Sequence, residues 1–421
     1  MGKEKLALYG GCPVRPYPNP EIEAKWTGEE LHELIDVFQA GIYSRNHGTK
    51  VRQFESEFAA TFGVRCATAV TSGTAAIHIA VGTLQREYNW EVGDEIIVSP
   101  LTDIGSVVPI VYQGLIPVFA DSDPETFCVS GASIEAKISL RTRAILVVHL
   151  FGNPADMDSI LQLAKRQNLK VIEDCAQAHY SAVENRLCGT LGAVGTFSLQ
   201  AGKLISVGEG GMMITSNAKL AAQAARFSDK GWKRQKGFGP GTYRFLAPSY
   251  RMSELEGAVG CAQIRKLPDI AKRRNQNGTA LTNMLADTEF VQPQRVLPGH
   301  HHTYWMYAFV LTNDAPYNAV RFAEALQAEG VYARPRYITT PVFQCADWLA
   351  TKTTFGTSGW PFTAQGVADV RYDKTTSPVS ADILHRMVVV KISETMVERD
   401  IEEIASAIKK VAKFLPPDSE N

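Results

Sequence analysis

The stretch TFSLQAGKLISVGEGG, residues 196–211, joins a β-branched run to a lysine and then to a glycine-rich turn. Lys203 comes five residues after Ser198, and the turn follows at 208–211. A lone lysine is usually a solvated charge, and a lone glycine cluster is usually only a turn. The order and spacing of these residues, together with two stretches upstream, instead predict a functional site.

Short β-branched runs alternate with helical periods from about residue 66 to residue 215. Such runs are CATAV (66–70), EIIV (95–98), IPVF (116–119), AILVV (144–148) and KVIED (170–174). Helical spacing lies between them, as in Ile77, Ala80, Val81 and Leu84. This alternation predicts an α/β fold with a mostly parallel sheet covered on both faces. Ligands of such sheets bind beyond the carboxyl ends of the strands.

The length of the chain indicates more than one domain. Its 421 residues exceed what one hydrophobic core usually supports. We expect a large domain over residues 1–285, which includes an N-terminal arm and a linking helix. A smaller α+β domain is expected over residues 286–421.

Charge and cysteine content restrict the partners and the compartment. The net charge of −1 and the lack of a basic block argue against nucleic acid or an anionic membrane as the main partner. The seven cysteines are scattered without a CxxC pair, which argues against a disulfide framework and a zinc site. The first 20 residues lack the apolar run of a signal peptide, and no segment has the length of a membrane span. We therefore expect a cytoplasmic protein with a small-molecule substrate.

The stretches SGT (72–74) and VIEDCAQAH (171–179) each follow or end a predicted strand. Small residues at a helix start let backbone N–H groups approach a phosphate, although Ser and Thr are also ordinary helix caps. A buried carboxylate such as Asp174 needs a cation or hydrogen-bond donors, although Asp at a strand end also caps loops. A lysine amine forms a Schiff base with an aldehyde cofactor, and a nearby hydroxyl can hold its phosphate.

Together these stretches resemble the DegT/DnrJ/EryC1/StrS family of pyridoxal-phosphate-dependent sugar aminotransferases. The matching segments are LALYGGCPVR, TSGTAAI, VIEDCAQAH, TFSLQAGKLISVGEGG and YRMSELEGAV. The resemblance implies the α/β fold of type I, as in aspartate aminotransferase, with pyridoxal 5′-phosphate as cofactor. The form FSLQAGK is most similar to enzymes that act on carbocycles, the scyllo-inosose aminotransferases and the 3-amino-5-hydroxybenzoate synthases.

The resemblance also implies roles for individual residues. Lys203 is similar to the Schiff-base lysine, and Asp174 to the carboxylate that pairs with the pyridine nitrogen. Gln177 falls where a side chain contacts the ring oxygen of the cofactor. The phosphate cradle falls on Gly73, Thr74, Ala75 and Ser198. The implied reaction moves an amino group from glutamate or glutamine to a keto-sugar or keto-cyclitol, in secondary-metabolite or sugar biosynthesis.

Two positions depart from the family pattern. Asp103 stands where the family usually has an aromatic side chain that stacks on the cofactor ring. Either the register is shifted, or another group covers the ring, or Asp103 binds the acceptor, which we favour. Ser249 stands where an Asn commonly reaches the cofactor phosphate of the neighbouring subunit. The family pattern thus implies a homodimer with shared active sites.

The smaller domain offers further candidates. Arg334 and Arg336 in YARPRY suit the carboxylate of an amino donor, or they are an ordinary solvated pair of charges. His300, His301 and His302 are adjacent, so on a strand they point to opposite faces, and no paired carboxylate is nearby. We expect them to lie in a loop that helps close the site, and we expect no metal.

Three other functions compete with amino transfer. Elimination or aromatisation on a related carbocycle is the main alternative, because the 3-amino-5-hydroxybenzoate synthases share these motifs. Lys203 argues against the related sugar dehydratases, which have histidine at that position. A cofactor-binding sensor domain would need a DNA-binding arm, which neither the charge nor the termini provide.

Overall fold

The computed structural model describes residues 5–17, 24–233, 241–367 and 369–418. The strands are β1 (Cys66–Val70), β2 (Glu95–Val98), β3 (Ile116–Phe119), β4 (Thr142–Val148), β5 (Lys170–Asp174), β6 (Ala182–Val183), β7 (Arg186–Leu187), β8 (Val194–Ser198), β9 (Gly211–Thr215), β10 (Trp232–Lys233), β11 (Thr242–Tyr243), β12 (Val291–Pro293), β13 (His300–His301), β14 (Tyr307–Leu311), β15 (Ala333–Pro335) and β16 (Met387–Val390). The helices are α1 (Gly28–Ala40), α2 (Lys50–Phe62), α3 (Gly73–Tyr88), α4 (Val108–Tyr112), α5 (Gly131–Glu135), α6 (Met157–Arg166), α7 (Ala218–Phe227), α8 (Glu254–Met284), α9 (Ala319–Ala328), α10 (Asp347–Ala350), α11 (Pro378–Arg386) and α12 (Glu398–Phe414).

The central sheet has seven strands in the order β1-β9-β8-β5-β4-β2-β3. All of its strands run in one direction except β9, which is antiparallel to both of its neighbours. The predicted mostly parallel α/β sheet is therefore present. The carboxyl ends of the parallel strands meet at one edge of the sheet, and the amino end of β9 lies at that same edge.

Both faces of the central sheet are buried, which explains its nearly continuous apolar strands. Alternate residues of β2 and β4, such as Ile96 and Leu146, pack on one face in a cluster with α3 and α7. Their neighbours Ile97 and Ile145 pack on the other face in a cluster with α6. A further cluster joins β8 and β9 to α2 and α8. Helices on both sides thus hold the sheet rigid beneath its carboxyl edge.

A second sheet of four antiparallel strands, in the order β12-β14-β16-β15, lies in the C-terminal part. Helices α9 and α12 contribute most of the helical side of its core, with Phe322 and Ile408 fully buried. The long helix α8 packs against α1 and α2 and also against α12. Helix α8 ends at Met284, next to the expected domain boundary between residues 285 and 286. This boundary stays a prediction, because α8 contacts helices that come before it and after it in the chain.

Short strands connect the two parts of the chain. His300 and His301 in β13 pair with Val183 and Ala182 in β6. This pairing fixes the segment that follows, residues 302–306, close to the carboxyl edge of the central sheet. Within the described residues, every helix is either too short or too polar to cross a lipid bilayer.

Candidate active site

Several predicted site residues lie together at the carboxyl edge of the central sheet. Some come from the stretch TFSLQAGKLISVGEGG itself and others from segments before it in the sequence. Ser72 follows β1, Asp103 follows β2, Asp174 ends β5 and Ser198 ends β8. Gly211, the first residue of β9, pairs with Ser198 and Val70. The order of the strands, rather than proximity in sequence, therefore assembles the site.

Asp174 is a buried carboxylate, with only 5% of its surface exposed. Its Oδ2 accepts a hydrogen bond of 2.7 Å from the hydroxyl of Ser106, and its Oδ1 accepts one of 3.0 Å from the N–H of Ala176. Burial raises the pKa of Asp174, whereas these hydrogen bonds and the charge of Lys203 lower it. The carboxylate thus has capacity for one more positive or donating partner.

Lys203 lies half-buried in a turn beyond β8, and its N–H donates to the carbonyl of Gln200 at 2.9 Å. Its Nζ lies 4.3 Å from the centre of the Trp305 ring. Burial lowers the pKa of Lys203, and the nearby charges of Asp174 and Asp103 oppose that shift. A lowered pKa favours the neutral amine, which is the form that attacks a carbonyl carbon.

The start of α3 forms a tight backbone cradle beside Ser198. The Oγ of Ser72 caps the helix by accepting from the N–H of Ala75 at 3.0 Å, as its cap role predicts. The N–H groups of Gly73 and Thr74 have no hydrogen-bond partner among the residues that the structure describes. A Cβ on Gly73 would lie 2.7 Å from the Cβ of Ser198. The predicted cradle residues therefore lie together at a helix N-terminus, which favours an anion.

The glycine turn at 208–211 packs beneath this cradle. A Cβ on Gly211 would overlap the carbonyl group of Ser72. Gly208 has a φ of 92°, in the left-handed region that glycine adopts easily. A larger residue at position 211 would push the first turn of α3 away from Ser198.

Gln177 connects the segment that follows β5 to the C-terminal part of the chain. Its Oε1 accepts from the N–H of Phe151 at 2.8 Å, and its Nε2 donates to the hydroxyl of Tyr337 at 2.8 Å. The charges of Asp103 and Asp174 reinforce burial in raising the pKa of Tyr337. The second N–H of the Gln177 amide can donate to another acceptor. Contact between Gln177 and a cofactor stays a prediction.

Asp103 caps a short 3₁₀ helix, Ile104–Ser106, by accepting from the N–H of Gly105 at 2.8 Å. The side chain is exposed, and its charge acts on both Lys203 and Tyr337. Capping and substrate binding are therefore compatible, since Oδ1 serves the helix and the charge of the same carboxylate acts on Lys203 and Tyr337.

Arg334 and Arg336 lie on or just after β15, directly before Tyr337. The Nε of each guanidinium is buried without a hydrogen-bond partner, and neither has a carboxylate partner in the described ranges. Arg336 has a φ of 63°, and its N–H donates to the carbonyl of Met387 at 2.8 Å. Two unpaired, partly buried cations next to Tyr337 differ from a solvated surface pair.

Ser249 lies two residues before Arg251, which forms a bridge with Val70 at the carboxyl end of β1. It is exposed, and its backbone forms a bridge with Asp229 rather than with the carboxyl edge of the sheet. Its neighbour Tyr250 donates or accepts a 2.8 Å hydrogen bond at Nδ1 of His78. Such a position suits a residue offered to another subunit, which stays a prediction.

The histidines at 300–302 do not form a metal site with one another. His302 is buried, and its ring nitrogens face Gln294 and the N–H of Tyr304. A different group, His149, Glu173 and Cys175, has ligand atoms close enough for a metal. However, the Glu173 oxygens accept from His149 and from three backbone N–H groups, and Nδ1 of His149 accepts from Ala155. This cluster is a hydrogen-bonded support beneath the site.

Sequence reasoning missed three residues that the structure brings to the site: Ser106, Trp305 and Tyr337. Ser106 was hidden because serine near a helix start has many ordinary roles. Trp305 lies three residues after His302, and the sequence predicts a loop that helps close the site for His300, His301 and His302 but no role for Trp305. Tyr337 directly follows Arg336 and lies three residues after Arg334, the two candidates for binding the amino donor.

One family model matches residues 25–409, and it describes the DegT/DnrJ/EryC1/StrS aminotransferase family. The chain belongs to this family. It is 36% identical over 296 residues to GDP-perosamine synthase of Escherichia coli O157:H7, over 70% of this chain and 78% of that protein. It is 35% identical over 350 residues to L-glutamine:2-deoxy-scyllo-inosose aminotransferase of Streptoalloteichus tenebrarius, over 79% of this chain and 81% of that protein.

Among solved structures, an aminotransferase from Psychrobacter cryohalolentis superposes with a TM-score of 0.81 at 26% identity, over 94% of this chain and 98% of that chain. The expected fold and enzyme class are thereby confirmed. The chain is a pyridoxal-phosphate-dependent aminotransferase with the α/β fold of type I.

Proposed function

We propose that this aminotransferase moves the amino group of glutamine or glutamate to the ketone of a sugar or cyclitol, with pyridoxal 5′-phosphate held at the carboxyl edge of the central sheet. The observation that carries the proposal is that a buried carboxylate, Asp174, and a desolvated amine, Lys203, act on each other at the same edge of the sheet as the glycine-lined start of α3.

The residues present fit this cofactor. Free N–H groups on Gly73 and Thr74, with the hydroxyl of Ser198 beside them, would hold its phosphate. The carboxylate of Asp174 can accept one more hydrogen bond, and the protonated ring nitrogen would donate it. A cation about 4 Å from a carboxylate gains roughly 4 kcal/mol before desolvation at an effective dielectric of about 20.

When bound, the cofactor supplies an electron sink for the substrate carbon that loses its proton. Lys203 would remove that proton as the neutral amine and return it at the cofactor's C4′ carbon. Burial lowers the pKa of Lys203, which favours the neutral form needed for this step. Asp174 would keep the ring nitrogen protonated, and Ser106 would fix the carboxylate in place.

Arg334 and Arg336 would bind the carboxylate of the amino donor. Their unpaired, partly buried guanidinium groups lie next to Tyr337, which contacts Gln177 at the site. A guanidinium binds a carboxylate through two parallel hydrogen bonds, so a donor with an α-carboxylate is favoured. The name of the Streptoalloteichus relative gives L-glutamine as donor, which supports glutamine here.

The acceptor would meet Asp103, whose free oxygen can accept hydrogen bonds from sugar or cyclitol hydroxyls. The relatives named 2-deoxy-scyllo-inosose aminotransferase and GDP-perosamine synthase support a cyclitol and a sugar respectively. Assay of the purified protein against both kinds of ketone, with glutamine and with glutamate, tests the proposal. Transfer to a ketone of either kind supports it, and failure with every ketone in the panel would contradict it.

A homodimer is part of the proposal. Helix α1 exposes Leu31, Ile35 and Phe38, which follow helical spacing and form one apolar face. Ile42 and Tyr43 continue that face beyond the end of the helix. A second copy of the chain would cover these side chains and bring Ser249 toward the partner's site.

All seven cysteines are unpaired, which supports the reducing environment of the cytoplasm.

A further inference from the structure

Trp305 lies against the catalytic lysine although it comes from the C-terminal part of the chain. Its indole Nε1–H donates a 2.7 Å hydrogen bond to the carbonyl of Gly202, the residue directly before Lys203. The Nζ of Lys203 lies 4.3 Å from the centre of the indole ring. The same side chain therefore contacts both the backbone and the amine of one segment, residues 200–208, which we call the lysine turn.

The position of Trp305 is fixed independently of Lys203. Its backbone N–H donates to the carbonyl of Phe151 at 2.7 Å. Its ring and that of Tyr337 pack in a T-shaped pair, with ring centres 6.2 Å apart and ring planes at 90°. Tyr337 is in turn held by Gln177 at 2.8 Å. The indole is thus a fixed surface against which a flexible side chain can settle.

An aromatic face attracts an ammonium group within about 6 Å of the ring centre. A lysine amine that is not linked to the cofactor has four rotatable side-chain bonds, so a fixed surface reduces the positions it explores. Other charged or titratable groups also act on this amine: Asp174 and Asp103 favour its charged form, and the charge of Lys203 lowers the pKa of His179. Trp305 differs from these groups because it makes contact with the amine itself.

We propose that Trp305 is a positioning residue for Lys203: its anchored indole holds the unlinked ε-amino group over the ring face, between the proton transfers that the reaction requires. The proposal rests on the proposed function, because it assigns how the lysine is held while it exchanges protons. Since the same lysine serves the donor and the acceptor, Trp305 acts in both half-reactions.

The test measures the Lys203 amine directly in protein loaded with pyridoxamine 5′-phosphate, in which the lysine is not linked to the cofactor. Competitive labelling with acetic anhydride over a pH series, followed by mass spectrometry of the Lys203 peptide, gives its pKa. Trp305→Leu removes the ring, and Trp305→Phe keeps a ring but loses the N–H anchor. We expect Trp305→Leu to lower the pKa of Lys203 by roughly 0.5 to 1, and Trp305→Phe to lower it less.

A matched control is Trp26→Leu. The indole of Trp26 also donates to a carbonyl of the lysine turn, that of Ser206 at 3.0 Å, but the ring contact with Nζ belongs to Trp305. We expect Trp26→Leu to leave the pKa of Lys203 unchanged. Equal pKa values in wild type and both Trp305 variants would overturn the proposal.

The rates of the two half-reactions show whether Trp305 positions Lys203 or instead forms a wall of the acceptor pocket. We expect Trp305→Leu to slow the half-reactions with the amino donor and with the ketone by a similar factor, about tenfold. A loss confined to the ketone, with an unchanged pKa of Lys203, would make Trp305 a pocket wall and overturn the proposal. The labelling needs no turnover, so a shifted pKa in a protein that aminates no ketone would count against the proposed function alone.

Discussion

At the scale of single residues, two side chains carry most of the proposed chemistry, and both were predictable. Lys203 and Asp174 stood out because each lies in a motif with fixed spacing next to a strand end. Ser106 and Tyr337 were not predictable, because the contacts that give them a role come from side-chain packing between distant segments. Ser106 lies 68 residues from Asp174, and Tyr337 lies 160 residues from Gln177.

Asp174→Asn should reduce the rate of the half-reaction with glutamine by about 100-fold, which corresponds to roughly 3 kcal/mol. The amide keeps the shape of the carboxylate but cannot stabilise a protonated ring nitrogen. Ser106→Ala is the matched control, because it removes the 2.7 Å hydrogen bond and leaves the charge. We expect a smaller loss there, about tenfold. Stopped-flow absorbance measures both, and an Asn variant within threefold of wild type would remove Asp174 from this role.

Asp103→Asn should impair the half-reaction with the ketone by about 10- to 100-fold and leave the half-reaction with the amino donor nearly normal. Loss of a charged acceptor typically costs about 1.5–3 kcal/mol. Asn still offers an oxygen to the N–H of Gly105, so the cap of the 3₁₀ helix is kept. Equal losses in the two half-reactions would show that Asp103 only caps this helix.

At the scale of elements, β1 to β5 and β8 were predicted to within a residue or two, because strands buried on both faces have continuous apolar runs. Strand β9, which starts within the glycine turn, was not predicted. The stretch GSVVPIVYQG (105–114) lies between the strand runs of β2 and β3, and the structure divides it into the end of the 3₁₀ turn Ile104–Ser106 and the five-residue helix α4. Strands of two residues, such as β6 and β13, are too short to have a sequence period. Their pairing nevertheless places Trp305 near Lys203.

Helix α1 gives a prediction about association. Introducing charge on its apolar face with the double variant Leu31→Lys and Phe38→Lys should produce monomers and abolish most activity. Ala40→Lys is the matched control, because residue 40 lies on the other side of the helix and a cation suits a helix C-terminus. Sedimentation measures both proteins. A double variant that stays dimeric, or a fully active monomer, would contradict the proposed interface.

At the scale of the whole molecule, buried histidines should make stability depend on pH. Burial lowers the pKa of His78 to about 4, and burial with the charge of Lys203 lowers that of His179 to about 3. Below pH 6.5 the unfolded chain binds protons that the folded chain does not, so stability falls as pH falls. Each histidine contributes up to about 1.4 kcal/mol per pH unit between pH 6 and pH 4.

Urea unfolding at pH 7, 6 and 5 checks this expectation. The free energy of unfolding should decrease across the series, and His78→Gln should make the decrease shallower. Glutamine can still hydrogen-bond to Tyr250 or Gln113 at this position, but it does not titrate. Equal free energies of unfolding at pH 7 and pH 5 would contradict the burial of neutral histidines.

The central claim is that Lys203 is the lysine that binds the cofactor. The most direct measurement is borohydride reduction of protein loaded with pyridoxal 5′-phosphate, followed by peptide mass spectrometry. The pyridoxyl group should be found on Lys203, and Lys203→Ala should lack both the label and the yellow absorbance. Lys25, whose amine contacts the Lys203 carbonyl, provides the control, and Lys25→Ala should still be labelled at Lys203. A label on Lys25 or any other lysine of the wild-type protein would contradict the account.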